Sequence, residues 1–486
     1  MEKIESSKEN MLIESYGGTG GLVTGSSHLL EIKGSKILVD MGMFQGHKDE
    51  NAENGDRRNF TPLTEMARGL SDVLVTHAHI DHIGRLPMIY QKGFRPRTLA
   101  TEATVDFMDP MLYNSAEIQS SDRNVENRLY GMNDVETTLR HVRGVSPFKE
   151  IQVGQNNSGI SAEFLLNGHV MGSSSILIRN PHGNKNILFT GDMGKPIQSL
   201  CGGYTDFMAR YPQDPINVLV VESTNFEKEP IPFKNKEEEL VGKINETFAD
   251  GGNVVIPVLS YHRTPEILEM LFNAKKSGKL SSEVKIILDG PLSVKLMDVS
   301  KELGSDYISR RYGDDPDFYK TDEESLARFD LKDVSLINSH KDSVKNDSEV
   351  AQSGSKTITL ASGGMAEHGR SINYLKGKFG RNPKNLILFT CFQVEGTRGA
   401  NMMCRKENSK EKITGAKVYQ VEGFTSHISG AEETFDFLER FNLEKLETVI
   451  ICHGRNSSRE KMAQEFKTRG YGKKIINSDI GQSIRL

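Results

Sequence analysis

The chain reads as an α/β protein, and two features of its sequence say so. Short β-branched runs alternate with helix-length amphipathic stretches: Val254 to Leu259 precedes Thr264 to Lys276, and Val284 to Leu288 precedes Val294 to Leu303. Such strand-helix alternation predicts a largely parallel sheet. Several apolar runs also end on a polar, metal-capable residue, at the strand ends where α/β folds keep their chemistry.

Taken in order, residues 12 to about 200 alternate short β-rich runs with glycine turns and a few helices, including an amphipathic stretch around Met111 to Arg128. The pattern loosens at Gly203 to Tyr211, and Asn217 to Val221 is expected to open a new unit. Its first helix, Lys236 to Phe248, places Leu240, Ile244 and Phe248 on one face. The charged run Glu227 to Glu239 and the polar run Lys341 to Lys356 read as solvated surface. Beyond Arg405 the first pattern returns. One domain is therefore expected inside another: 1-207 and 408-486 as the two parts of the host, 208-407 as the insert, with the active cleft between them.

Composition narrows the class. The 486 residues suffice for two or three domains, and 36 % are hydrophobic, with no apolar run near the ~20 residues that span a bilayer. Met1 to Asn10 lacks the apolar core of a signal peptide. Cys201, Cys391, Cys404 and Cys452 show no paired spacing, which predicts reduced thiols and a cytoplasmic setting, with Cys391 and Cys452 inert in the core. A net charge of -5 argues against nonspecific coating of nucleic acid, so any nucleic-acid contact must be local. Gly17 to Gly21 is followed by no Gly-Lys-Ser/Thr and reads as a tight turn, not a nucleotide loop. His28, His47, His141, His182, His340 and His368 carry no motif and default to surface or satisfied core.

The run Thr76-His77-Ala78-His79-Ile80-Asp81-His82 carries the chemistry, with four metal-capable side chains in six residues. It follows the apolar Val73-Leu74-Val75, so His77 and His79 sit two apart in extended chain and point the same way. Asp81 and His82 lie where the chain turns into Arg85 to Lys92 and can address a second point. Nitrogen and carboxylate donors at two adjacent points suit two metal ions, zinc best. Further donors end other strands: Asp40 after Ile37-Leu38-Val39, His169 after Phe164-Leu165-Leu166, Asp192 after Ile187-Leu188-Phe189, and His453 after Thr448 to Cys452.

In this order these segments resemble the metallo-β-lactamase superfamily. Val220-Val221-Glu222-Ser223-Thr224-Asn225 looks like the first extra motif of its β-CASP branch, the RNA- and DNA-processing nucleases. Gly423-Phe424-Thr425-Ser426-His427 looks like the second, and His453 stands at the third, as in the RNA-cutting members. Asn253 to Pro257, Leu288 to Pro291, Ala361 to Met365, Gln393-Val394-Glu395-Gly396-Thr397, Thr24-Gly25-Ser26 and Asp40 to Gly46 match in order. The likeness runs almost end to end and is nearest to prokaryotic RNases related to the cleavage-and-polyadenylation endonuclease.

The resemblance implies an αββα sandwich with an inserted β-CASP α/β domain and a zinc-dependent ribonuclease cutting single-stranded RNA in RNA processing or decay. By the family pattern His77, His79 and His169 hold one Zn2+ and Asp81, His82 and His453 the other. Asp192 bridges them, and Asp40 orients a ligand imidazole. The metal-activated water attacks phosphorus, and His427, held by Glu222, protonates the leaving oxygen. Ser362, Gly363 and Gly364 are expected to offer backbone N–H groups to phosphate, with Arg263 and Arg398 as further contacts. No membrane partner is implied, and a homodimer stays open. Two alternatives remain at this point: a non-catalytic RNA-binding or scaffold homologue, and a small-molecule metallo-hydrolase. Three positions depart from the pattern: Ser429 where an acidic residue is usual, Tyr261-His262-Arg263 where Gly-Arg is common, and Cys391-Phe392-Gln393 in place of Gly-Tyr-Gln.

Overall fold

The computed structural model describes residues 11–45, 57–60, 63–120, 128–181, 185–198, 200–309, 331–352, 354, 356–394, 396–403 and 414–486. His47, His182, Glu395, Cys404 and Arg405 lie outside the described residues. The chain forms two compact units, one running to Glu229 and resuming at Ser426, the other Pro230–Thr425.

The first unit is built on two seven-stranded sheets. One is ordered Ser483–Arg485, Leu12–Gly17, Ser27–Ile32, Ser35–Val39, Leu70–Leu74, Arg97–Thr101, Val142–Val145. The other is ordered Lys474–Asn477, Thr448–Cys452, Val218–Glu222, Lys185–Phe189, Ser174–Asn180, Ser161–Leu166, Ile151–Gln152. Leu12–Gly17 buries every second residue, as a strand with one face on a core must. Ile13, Leu30, Ile37, Val39 and Leu74 of the first sheet join Phe164, Ile176, Ile187, Phe189, Val220 and Ile450 of the second in one apolar cluster. Helix Glu102–Ser120 packs on strands Arg97–Thr101 and Val142–Val145, and helix Asn456–Arg469 on Thr448–Cys452 and Lys474–Asn477. The layering is helix, sheet, sheet, helix.

The second unit holds one six-stranded parallel sheet, ordered Val334–Ile337, Lys285–Asp289, Thr357–Ser362, Val254–Val258, Leu386–Phe389, Lys417–Gln420. Helices Phe233–Ala249, Arg263–Lys276 and Pro291–Ser309 connect or flank its strands, as the alternation predicted.

Two strands belong elsewhere than the sequence pattern placed them. Val218–Glu222 does not open the insert; it pairs in parallel with Lys185–Phe189 and Thr448–Cys452 inside the first unit. Lys417–Gln420 pairs with Leu386–Phe389 and so stays in the second unit. The insert therefore runs from 230 to 425, where the pattern put its edges at 208 and 407. A short apolar run announces a strand but says nothing about which sheet receives it.

Loops at one end of the first sheet are tied by Arg85, a fully buried side chain in the segment after His82. Its guanidinium donates to the carbonyls of Gly42, Gly25 and Arg58 and to Ser27 Oγ, and lies 4.7 Å from the centre of the Phe44 ring. Glycines let other loops close on one another. A Cβ on Gly194 would overlap the Gly168 carbonyl and the His169 amide nitrogen, whereas one on Gly242 meets nothing within 4 Å. Gly194→Ala is accordingly expected to cost at least about 1–3 kcal/mol as an overpacked contact. Gly242→Ala, inside a helix, should add about 0.5–1 kcal/mol. Denaturant midpoints of the two variants should move in opposite directions from the parent's.

Candidate metal centre

Strand ends of both sheets in the first unit deliver the polar residues to one place. Asp40 follows strand Ser35–Val39 in a left-handed backbone conformation, φ 61°. Its Oδ1 accepts the Thr76 N–H at 2.8 Å, and its Oδ2 accepts the Thr76 hydroxyl at 2.8 Å and His82 Nδ1–H at 2.7 Å. The Thr76 hydroxyl has spent its proton on Asp40, so its lone pair can receive His77 Nδ1–H, 3.1 Å away. One carboxylate thus sets the orientation of two imidazoles, each turning Nε2 away from it.

The loop after Ser161–Leu166 is bound to the loop after Lys185–Phe189 through Asn167. Its Nδ2 donates to the carbonyls of Thr190 (3.0 Å) and Asp192 (2.9 Å), and its Oδ1 accepts from Ser173 Oγ at 2.7 Å. This holds His169 opposite Asp192. His453 follows strand Thr448–Cys452, also left-handed at φ 47°, and the Gly17–Gly21 turn meets it through the His453 N–H and the Gly18 carbonyl, 2.5 Å apart.

Two clusters of donor atoms result: His77, His79, His169 and Asp192, and beside them Asp81, His82 and His453. In the first, His77 Nε2 is 2.8 Å from His79 Nδ1, His169 Nε2 is 3.3 Å from His79 Nδ1, and Asp192 Oδ2 is 3.7 and 3.6 Å from His77 and His169. In the second, His82 Nε2 is 4.0 Å from Asp81 Oδ2, and His453 Nε2 is 3.6 Å from the same oxygen. Asp192 Oδ1 lies 3.3 Å from His82 Nε2, so Asp192 turns one oxygen to each cluster. Ligands of a tetrahedral zinc at about 2.0–2.1 Å stand roughly 3.3 Å apart. His82 Nε2, Asp192 Oδ1 and His453 Nε2 are buried without a hydrogen-bond partner, an arrangement a metal ion between them would satisfy. The donor set fits a divalent ion of zinc's character.

Electrostatics agree with that fit. Burial alone would lower His82, but Asp192 and Asp40 outweigh it and hold its pKa well above the usual value. Burial would likewise raise Asp192, yet His453, His82 and His427 keep it well below the carboxylate range. The carboxylates thus demand positive charge here. Burial pushes His77 well down, helped by His82 and His79, and takes His79 to about 4 despite Asp81 and Asp192. Both shifts favour the neutral imidazole, the form that binds metal.

His427 enters from the side. Its Nδ1–H donates to Glu222 Oε1 at 2.9 Å, and its Nε2 lies 3.6 Å from Asp192 Oδ2. Glu222 is buried and also accepts the N–H groups of Met193 (3.0 Å) and Thr224 (2.7 Å). Burial lowers His427, but Glu222 and Asp192 together raise it above its ordinary value. Ser429 caps helix Gly430–Leu438, and its N–H donates to Glu433 Oε2 at 3.2 Å. A carboxylate therefore does stand beside this position, supplied from four residues on.

Every metal-capable residue singled out in the sequence lies in this centre, along with His427, Glu222 and Asp40. The residues expected to bind phosphate lie in the other unit. Arg263 is buried there, its guanidinium paired with Glu266 and 5.7 Å from the Phe424 ring centre, not exposed as a phosphate contact is expected to be. Gly363 spends its N–H on the Val258 carbonyl, which removes it as a phosphate donor. Arg398 Nη1 donates to the Ala366 carbonyl at 2.8 Å. His262, where glycine is common, adopts φ 63°. His28 is a satisfied core histidine with Ser15 Oγ at 2.9 Å, although it also lines the cavity beside Asp40, His82 and His453. Sequence reasoning missed Thr76, Asn167 and Arg85. Thr76 and Asn167 adjoin the ligand motifs, but a hydroxyl or amide beside a motif carries no signal of its own.

Because Asp40 serves both Thr76 and His82, Asp40→Ala should weaken metal binding at the His82 cluster by about 10–100-fold. Titration against chelator-buffered zinc measures this, and an unchanged affinity would show that Asp40 does not orient the ligand.

Comparison with known proteins places the chain. The metallo-beta-lactamase superfamily profile matches residues 20–225, and the Beta-Casp domain profile matches residues 264–402. Ribonuclease TTHA0252 of Thermus thermophilus is 26% identical over 462 residues, covering 93% of this chain and 95% of that protein. Probable RNase MJ4 of Methanocaldococcus jannaschii is 27% identical, with the same two coverages. A transcription termination factor FttA from Lokiarchaeum is 27% identical over 88% of this chain and 64% of its own. A crystal structure of a protein of unknown function from Enterococcus faecalis shares the fold, with TM-score 0.55 at 14% identity over 98% of this chain and 100% of that one. Among the described residues no helix is long and apolar enough to cross a membrane.

Proposed function

We propose that this chain, which belongs to the β-CASP branch of the metallo-β-lactamase superfamily, is a dinuclear zinc ribonuclease that hydrolyses single-stranded RNA. The observation that carries the reading is the bridging position of Asp192. One oxygen faces His77, His79 and His169, and the other faces the Asp81, His82 and His453 cluster. His77, His79 and His169 would hold one zinc, and Asp81, His82 and His453 the other. Two zinc ions there would supply an ionised water at neutral pH and positive charge for both oxygens of an in-line displacement at phosphorus.

The remaining work falls to residues of the chain. His427 stands 3.6 Å from the bridging carboxylate with its Nδ1 proton committed to Glu222, so Nε2 is the atom that can pass a proton to a leaving oxygen. Glu222 holds the ring in that orientation and, with Asp192, favours its protonated form. Names among the relatives support RNA as the substrate, as in ribonuclease TTHA0252 and probable RNase MJ4. Ser362, Gly364 and Arg398 remain the proposed phosphate contacts in the second unit. Ser362 Oγ accepts the Arg370 N–H at 3.4 Å and keeps a lone pair and its own proton.

Elemental analysis of protein purified without chelator should give close to two zinc ions per chain. One ion or none, with no rise on adding zinc, would end the dinuclear reading.

A second expectation separates the acid from the metal ligands. His427→Ala should slow cleavage of labelled single-stranded RNA by about 10²–10⁴-fold, the scale of general acid catalysis. Both zinc ions should stay bound. The loss should shrink on a nitrophenyl phosphodiester, whose leaving group needs no proton, and Glu222→Gln should show the same pattern more mildly. Equal losses on the two substrates, or a missing zinc ion, would mean that His427 is not the acid.

A further inference from the structure

The hydroxyl of Thr224 makes two contacts with a single residue. Its Oγ1 lies 2.9 Å from His453 Nδ1 and 2.9 Å from the His453 carbonyl oxygen. A carbonyl has no proton to give, so the one hydroxyl proton must go to it. What remains on Oγ1 is a lone pair, and His453 can meet it only with Nδ1–H. The alternative, a proton from Thr224 to a bare Nδ1, would leave two oxygens facing each other at hydrogen-bond distance with nothing between them. Nδ1 is also 3.4 Å from Asp192 Oδ1, a contact without hydrogen-bond geometry that favours the same proton placement.

With Nδ1 protonated, Nε2 is the bare nitrogen. It is buried, has no hydrogen-bond partner and stands 3.6 Å from Asp81 Oδ2. The backbone at this point is equally constrained. His453 is left-handed, its N–H goes to Gly18, and its carbonyl takes the Ser223 N–H at 3.2 Å as well as the Thr224 hydroxyl. On the opposite sheet Thr76 does the same for His77, giving its proton to Asp40 and receiving Nδ1–H.

We propose that Thr224 is a positioning residue of the metal centre, fixing the tautomer and ring orientation of His453 so that Nε2 is offered to the ion held with Asp81 and His82. This rests on the two-ion reading above. The hydroxyl is separable from the acid pair, because the Thr224 contact with Glu222 is made by its backbone N–H, which any substitution but proline keeps.

The test is zinc occupancy at chelator-buffered free zinc for the whole protein and for Thr224→Val and Thr224→Ser. Valine keeps the shape and removes the hydroxyl; serine keeps the hydroxyl. Loss of an orienting partner of a ligand histidine is worth about 10–100-fold in affinity. Thr224→Val should therefore release one of the two ions about 10–100-fold more readily and leave the other unchanged, with Thr224→Ser close to the parent. Parent-like affinity for both ions in Thr224→Val would overturn the proposal alone. A serine variant as weak as valine would do so too, since the hydroxyl would then not be the active element. A parent binding fewer than two ions would overturn the two-ion reading and this inference with it.

Discussion

The carboxylate of Asp40 is the constraint on which the centre depends. It is buried, and it accepts three protons from the opposite turn: the Thr76 N–H, the Thr76 hydroxyl and His82 Nδ1–H. A buried carboxylate needs such partners to stay in the core. The same three bonds join strand Ser35–Val39 to the turn after Leu70–Leu74 and aim ligands of both clusters. The backbone at Asp40 and at His453 is left-handed, a conformation that costs a non-glycine residue on the order of 1 kcal/mol or more. Aspartate and histidine are among the residues that tolerate it best. Both strained positions sit at strand ends carrying the centre, where surrounding hydrogen bonds hold them.

Charge balance explains why so many ionisable groups can be buried together. Asp192 lies between histidines on several sides, and burial would raise its pKa if they were absent. The same histidines split into two kinds. His77 and His79 are driven neutral by burial, while His82 and His427 are pulled toward the protonated form by carboxylates. A divalent ion held there would supply the positive charge that the carboxylates otherwise draw from His82. His427 differs because its carboxylate partner Glu222 is bound on both oxygens by backbone N–H groups and cannot turn away. His427 belongs to neither cluster of metal-capable donors, which is consistent with the acid role proposed above.

The second unit spends its charged residues differently. Arg263, Lys236 and Glu266 are all buried, with both cations near the Phe424 ring and Glu266 paired to each. An arginine beside a motif suggests a phosphate contact when only spacing is known. In the structure Arg263 is enclosed and paired, surroundings that spacing alone does not reveal.

The residues whose donor atoms gather in the two clusters were all singled out from the sequence, because the pattern that marks them is local. Two residues apart in extended chain share a side of the strand, and a polar residue ending an apolar run sits where strands deliver chemistry. Strand and helix positions followed from the same periodicities, as at Phe164-Leu165-Leu166 and Lys236 to Phe248. Only tertiary structure decided which sheet takes Val218–Glu222 and Lys417–Gln420, since a short apolar strand carries no address for its neighbour. It also decided that Arg263 is enclosed, that Glu433 stands beside Ser429, and that Thr76, Thr224 and Asn167 hold the ligands in place. Those assignments depend on hydrogen bonds between segments up to 229 residues apart, and the identity of a hydroxyl or amide does not reveal the partner that folding will bring to it.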